Sequence, residues 1–272
     1  FGAPRLSVVG VGLATAAANV FTATMLVVAL LTGWADASLA RPRSLVITRQ
    51  LLRVSAPSVA EGLVSTLAEF PLNAILLGFG TEVNAAFHIG RRIYQQLTGP
   101  LSRGFYVGAS VLVGQSLGEE APERARFRGW ATVALGVLTA GGFGLVLALG
   151  AGPIVSVFTD DAATLGYATD FARVYGLTAA FLVIFAVLQG ALAGAGETRL
   201  PFLARTSGMV LFMLGFTYVV GVVLGYGVVG AYLGLGLTYV WMALVVAVGF
   251  HAGGWTDRAA NMLQDRGSLR AE

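Results

Sequence analysis

The chain has 272 residues, of which 56% are apolar and 11% charged, with a formal net charge of +3 and a mean hydropathy of +0.78. A water-soluble domain of this length needs charge over about a quarter of its surface, whereas a helical bundle in lipid needs it only in its loops, so the composition points to the bilayer as solvent. Cysteine is absent, histidine occurs only at His88 and His251, and no Walker loop, G-x-S-x-G or His/Asp/Glu cluster is present, which leaves disulfides, thiolate chemistry, hydrolysis and nucleotide-driven work without residues.

Crossing about 30 Å of hydrocarbon takes roughly 20 apolar residues. Uncharged runs of that size occur from Val8 to Gly33, from near Ala56 to Gly80, from near Asn84 to near Leu117, from Ala131 to Gly152 and from Leu165 to Ala193. A short interfacial piece, Pro153 to Thr159, leads into Asp160 and Asp161. No Asp, Glu or Arg appears between Thr206 and Thr256, a stretch too long for one helix that divides at Gly225, Tyr226 and Gly227. The expectation is an all-α, polytopic transmembrane helix bundle of seven spans. The segment Phe1 to Ser7 lacks the pattern of a signal peptide, and the chain reads as part of something longer.

All basic residues are arginines, a codon habit rather than a site, and their placement gives orientation. The first loop holds Arg41, Arg43, Arg49 and Arg53, the third Arg124, Arg126 and Arg128, the fifth Arg199 and Arg205, and the tail Arg258, Arg266 and Arg270. The alternate loops carry only Glu82, then Asp160 and Asp161, then no charge, so the positive-inside rule predicts cytoplasmic arginine loops and a cytoplasmic C-terminus in the cell membrane. Val8-Val9-Gly10 through Val20-Phe21 resembles Val228-Val229-Gly230 through Val240-Trp241, which suggests a duplicated six-helix half of parallel-repeat type. The predicted division is 1–34 as the last helix of an N-terminal lobe, 35–54 as a cytoplasmic linker, 55–256 as a C-terminal six-helix lobe and 257–272 as a cytoplasmic tail.

Charges inside spans are costly and face the bundle interior or a wet cavity. Glu61, Ser65, Glu69 and Asn73 fall at steps of four and make one polar stripe on the second span. On the third, His88, Arg92, Gln95 and Arg103 line a similar face, with Arg91 and Tyr94 beside them. A tight turn near Thr81 makes the two spans antiparallel, and matching depths predict ion pairs of Glu61 with Arg103 and of Glu69 with Arg92. Such pairs either fix helix register or release a carboxylate on protonation or cation binding. His88 and His251 read as interfacial, Trp34, Trp130 and Trp255 as an aromatic belt. Glycines such as Gly141, Gly142, Gly144, Gly194 and Gly196 read as close-packing sites. Pro57, Pro71 and Pro100 sit within or at the start of spans, where a bend is the common result.

Several segments resemble the multidrug and toxic compound extrusion (MATE) family. Asn84-Ala85-Ala86-Phe87-His88-Ile89, then Gly108 to Gly118 followed by Glu123-Arg124-Ala125, is similar to that family's eighth helix and next loop. Gln189-Gly190 with Leu192-Ala193-Gly194-Ala195-Gly196-Glu197-Thr198-Arg199-Leu200-Pro201 resembles the L-R-G-x-G-D-T-x-x-P segment after helix ten, and Gly227 to Ala231 the start of helix twelve. The resemblance implies helices six to twelve, a two-lobed V, and export of small organic cations or amphipathic compounds driven by inward Na⁺ or H⁺. It implies no cofactor, no resident metal, no nucleic acid and no obligatory protein partner beyond the N-terminal lobe, without which the chain should not transport. In NorM-type members a cation-binding carboxylate stands in each of helices seven and ten. The alignment puts Ser65 and Leu182 there, a departure that leans toward the DinF-type branch.

The competing readings are a flippase for lipid-linked oligosaccharide or peptidoglycan precursors, which would use Arg91, Arg92 and Arg103 on a pyrophosphate, and a non-transporting scaffold, which needs no polar interior stripe. An enzyme is not expected, because no nucleophile or cofactor loop accompanies the charges.

Overall fold

The computed structural model describes residues 7–34 and 45–259, and every element among them is helical. In chain order they are α1 (Ser7–Leu31), α2 (Leu45–Phe79), α3 (Thr81–Gly118), α4 (Pro122–Leu149), the short α5 (Ala151–Val155), α6 (Ala162–Gly194), α7 (Arg199–Val223) and α8 (Val228–Ala252). Arg41, Arg43, Arg266 and Arg270 lie outside the described residues.

Among the described residues, six helices are long and apolar enough to cross a membrane, namely α1, α2, α4, α6, α7 and α8. The exception among the long helices is α3, whose 38 residues include Glu82, Arg91, Arg92 and Arg103. At 1.5 Å per residue it is nevertheless about 57 Å long.

The chain divides into two compact units, 1–50 and 51–272. Within the first, α1 carries no charged residue, and Thr22, Thr24 and Thr32 donate their hydroxyls to carbonyls four residues back at 2.9, 2.8 and 2.8 Å, so no side-chain polar group of these three is left for lipid to solvate. Helix α2 begins inside the stretch assigned to the linker. Arg49 and Arg53 are good helix formers and continue it past the apolar run.

In the second unit, α2 and α3 are joined by the single residue Gly80, whose φ of 133° is open to glycine and strained for other residues. That turn makes the two helices an antiparallel pair, and Leu72, Leu76, Val83 and Ala86 bury together beside it. Helix α3 then runs parallel to α6 along a seam of small residues. A Cβ on Gly90 would lie 2.9 Å from the Phe171 Cβ, one on Gly190 2.1 Å from the Tyr106 carbonyl oxygen, and one on Gly194 2.2 Å from the Ser110 carbonyl oxygen. Backbone meets backbone there, the geometry that small residues at i and i+4 permit between membrane helices. The same device joins α4 to α6 through Gly144 and Gly176, and α7 to α8 through Gly221, Gly230 and Gly234. Of the glycines read as packing sites, Gly144 and Gly194 make such contacts, whereas Gly142 meets nothing within 4 Å and Gly196 serves a turn at φ 75°.

Two stretches loosen the usual i→i−4 ladder to a wider spacing, Val137–Gly141 in α4 and Met209–Val223 in α7. The start of α6 is capped by Asp161, whose carboxylate accepts the Thr164 amide at 2.8 Å; hydrogen bonding from the Thr164 hydroxyl, and next from that amide, holds the Asp161 carboxyl below its ordinary range.

At the far end of α6, the buried Glu197 accepts the Arg199 and Leu200 amides at 3.0 and 3.2 Å and pairs with Arg258 beyond α8. Thr198 donates to the Val54 carbonyl at 2.8 Å, and Trp255 stacks on Phe250 with centroids 4.8 Å apart. Helices α2, α6, α7 and the segment after α8 are thus tied together at one end of the unit.

Candidate functional site

Of the charges predicted inside the spans, Glu69 and Arg91 line a cavity of about 210 Å³ between α2, α3, α6, α7 and α8. Helix α2 contributes Ser65 and Glu69, α3 contributes Phe87, Arg91, Tyr94 and Gln95, α6 contributes Tyr175 and Leu182, α7 contributes Arg205, Met209 and Met213, and α8 contributes Leu235, Thr238, Tyr239 and Met242. Tyr94 and Tyr175 stack with ring centroids 5.2 Å apart and planes 17° from parallel, and Tyr239 lies 6.1 Å from Tyr175. Aromatic rings and thioethers therefore make up nearly half of the wall. Rings give large rigid contact area, and methionine side chains reshape at little cost.

Two ion pairs bracket this wall. The Arg91 guanidinium donates to the Glu69 carboxylate at 2.5 Å. The second pair joins Arg205 to Glu61, a buried carboxylate that also accepts the Gln189 amide at 2.8 and 3.1 Å. Arg205 is in turn 4.8 Å from the centre of the Phe185 ring, a cation–π distance. Each carboxylate in the lipid-depth part of α2 thus has a guanidinium within contact, as a charge in low dielectric requires.

Both pairs differ from the predicted partners. Glu69 takes Arg91 instead of Arg92, because one residue on a helix is a turn of about 100° and the face of α3 turned to the cavity runs through Phe87, Arg91 and Tyr94. Glu61 takes Arg205 and Gln189 instead of Arg103, because beyond the Gly80 turn the interior face of α3 packs on α6, and the space opposite Glu61 is filled from α6 and α7. Arg103 is exposed, and Arg92 is exposed on an adjoining pocket.

That second, wider pocket, of about 500 Å³, shares Glu69, Arg91 and Gln95 with the cavity and adds His88, Ile89, Arg92 and Phe158. The Glu69–Arg91 pair is therefore the partition between the two spaces. Asn73 stands at its edge, with its amide oxygen 3.1 Å from the His88 ring nitrogen. Of the residues singled out in the sequence, Glu69, Tyr94 and Gln95 line the cavity, His88 and Arg92 line the outer pocket, Asn73 holds His88, Glu61 supports Arg205 from behind, and Arg103 takes no part.

Arg205 and Gln189 were not anticipated as site residues. Arg205 counted only as a loop charge, although its place in the second turn of α7, four residues before Met209, puts it on that helix's inward face. Ser65 and Leu182, the positions aligned with the family's cation-binding carboxylates, do face the same cavity, 117 residues apart in sequence.

The MatE family model matches residues 57–226. A multidrug resistance protein NorM of Burkholderia vietnamiensis is 32% identical over 265 residues, which cover 92% of this chain and 56% of the relative. The chain spans about half the length of the curated relatives it matches. Among solved structures, a MOP-superfamily transporter of Pyrococcus furiosus, described as having a binding pocket of reverse polarity, superposes with a TM-score of 0.63 at 23% identity, covering 73% of this chain and 43% of that one. The eukaryotic MATE transporter AtDTX14 gives a TM-score of 0.64 at 17% identity, covering 77% of this chain and 47% of its own. The match over most of the second unit, the likeness of fold and the polar cavity inside an apolar bundle converge, and the chain belongs to the MatE family.

Proposed function

We propose that the chain is the C-terminal part, helices six to twelve, of a secondary antiporter that exports small organic cations or amphipathic compounds by alternating access, driven by inward Na⁺ or H⁺. In this reading α3 is a seventh span, the arginine-bearing loops and the C-terminus are cytoplasmic, and α1 is the last helix of the preceding lobe. The observation that carries it is the cavity itself: aromatic and methionine walls suit varied apolar bodies, and the Glu69–Arg91 and Glu61–Arg205 pairs supply charges that can be exchanged for those of a ligand or ion. Arg91 holds Glu69 at the partition, Glu61 and Phe185 hold Arg205 at the cavity floor, with Gln189 donating to Glu61, and Tyr94, Tyr175 and Tyr239 exclude water between them.

The test is efflux of a fluorescent organic cation from vesicles containing the full-length parent protein, under Na⁺ and H⁺ gradients imposed separately. Gradient-driven export that Glu61→Gln or Glu69→Gln abolishes, with folded protein still in the membrane, supports antiport through these carboxylates. No export under either gradient overturns it.

The exposed Arg92 on the outer pocket favours a second reading, a flippase for a lipid-linked pyrophosphate. Movement of a lipid pyrophosphate across vesicles, with no cation efflux and sensitive to Arg92→Gln, would select that reading.

A further inference from the structure

Arg205 meets the cavity with donors to spare. A guanidinium carries its N–H groups in a planar fork that matches a carboxylate through two parallel bonds. Arg205 gives its Nε to Glu61 and stands over the Phe185 ring, and among the described residues neither Nη group has an acceptor. Its counter-charge is placed elsewhere: Glu61 is buried outside the cavity lining, where it also takes both contacts of the Gln189 amide. The guanidinium lines the cavity and the carboxylate that balances it does not. Arg91, in the same lining, gives Glu69 a single Nη. A carboxylate entering this low-dielectric space finds waiting donors, the condition under which burying a charge becomes affordable.

The rest of the lining tells what that carboxylate is attached to. Tyr94 and Tyr175 form a stacked platform with centroids 5.2 Å apart, and Tyr239 lies 6.1 Å from Tyr175. Rings so placed receive another ring by face or edge, and Met209 and Met213, on the helix that carries Arg205, can close on its rim. Volume sets the upper limit. A dry cavity of about 150 Å³ takes one benzene. The cavity of about 210 Å³ therefore takes one ring with its carboxylate, and a two-ring acid does not enter it whole.

We propose that this cavity is a recognition site for a one-ring aromatic carboxylate, with Arg205 as its anchor and the Tyr94–Tyr175 stack as its ring platform. Arg205 is then a specificity-determining residue, and the lobe selects small aromatic acids from among the amphipathic compounds assigned to the exporter. The inference deepens the export reading and rests on it for movement of the ligand across the membrane, though not for binding.

The experiment is equilibrium binding of radiolabelled benzoate, an anion at neutral pH, to the full-length parent protein in nanodiscs at fixed ionic strength. Benzylamine, which keeps the ring and reverses the charge, and acetate, which drops the ring, serve as competitors. Saturable benzoate binding is expected, with each competitor weaker than unlabelled benzoate by about tenfold or more. Arg205→Gln should weaken benzoate by about tenfold. Because that change leaves Glu61 without its cation, the charge-balanced double variant Glu61→Gln with Arg205→Gln is measured beside it and should be equally weak. Photolabelling by 4-azidobenzoate, blocked by excess benzoate, should mark peptides of α3, α6, α7 or α8.

The proposal is overturned by absent or unsaturable benzoate binding, by benzylamine or acetate competing as well as benzoate, by a photolabel confined to other parts of the protein, or by a folded Arg205 variant that binds like the wild type. If no variant folds, the competition series and the photolabel decide. Failure here and failure of the export reading look different. A parent protein that binds benzoate in this way but exports no cation under either gradient leaves this inference standing and sinks antiport, while gradient-driven cation export without benzoate binding does the reverse.

Discussion

Helix α3 is asked to do two opposite things on two faces. Along the α6 seam it offers backbone, with Tyr106 and Ser110 pressed by their carbonyls against Gly190 and Gly194 and no space left between. About a quarter turn away it offers Arg91, Tyr94 and Gln95 to a cavity of about 210 Å³. The seam is apolar, fixed by shape and intolerant of a single added carbon, whereas the cavity is polar, fixed by charge pairing and lined with side chains that can rearrange. A transport protein needs both: a rigid rail against which a lobe keeps its form, and a pocket whose contacts can be traded.

The contrast can be broken from either side. The largest effect is expected at Glu61→Ala, which leaves Arg205 without its carboxylate in a partly buried site and should cost about 4 kcal/mol in unfolding of the chain in lipid. Glu61→Gln, which keeps the shape and one acceptor, should cost clearly less, and equal losses would show that packing rather than charge holds the cavity floor. On the seam, Gly190→Val puts carbon where the Tyr106 carbonyl oxygen stands, and a loss of about 3 kcal/mol is expected by the same unfolding measurement.

A gain is expected at Gly142→Ala. Nothing lies within 4 Å of the added carbon, and alanine is the better helix former by roughly 0.5–1 kcal/mol. If it destabilises, α4 packs on something outside the described residues at that position. The smallest effect is local and depends on pH. The Asp161 carboxyl is held below its ordinary range by the Thr164 hydroxyl and then by its amide, so the cap is present at neutral pH and is lost as pH falls through the lowered value. With the intrinsic pH dependence of exchange divided out, amide protection at the first turn of α6 should fall on acidification in the wild type, and stay constant in Asp161→Asn, which caps without titrating.

Much of the fold was legible because long apolar runs and arginine-bearing loops are strong one-dimensional signals. The helix ends at Gly80, at Asp161 and at Gly225 to Gly227 agree with the breaks read from the sequence. The second span's stripe was also legible, since Glu61, Ser65, Glu69 and Asn73 repeat at four residues and all face polar partners or the cavity. The third span was not. His88, Arg92, Gln95 and Arg103 and the neighbouring Phe87, Arg91, Tyr94 and Thr98 are both helical stripes, and only packing chooses between faces that differ by one residue. Gln189 and Arg205 were out of reach for another reason: their roles depend on where α6 and α7 lie relative to α2, a tertiary fact 128 and 144 residues away in sequence.

The knot at Glu197 also carries an order of events. Its two amide partners, Arg199 and Leu200, are made almost at once with it, and the Val54 carbonyl that Thr198 seeks is already waiting. Arg258 leaves the ribosome 61 residues later, after α7 and α8 have been made. Until then the carboxylate has only backbone for company, and the helices it will tie can still be rearranged. Arg258, made after α8, therefore acts as the closing stitch of the bundle, set only once every helix it must hold is in place.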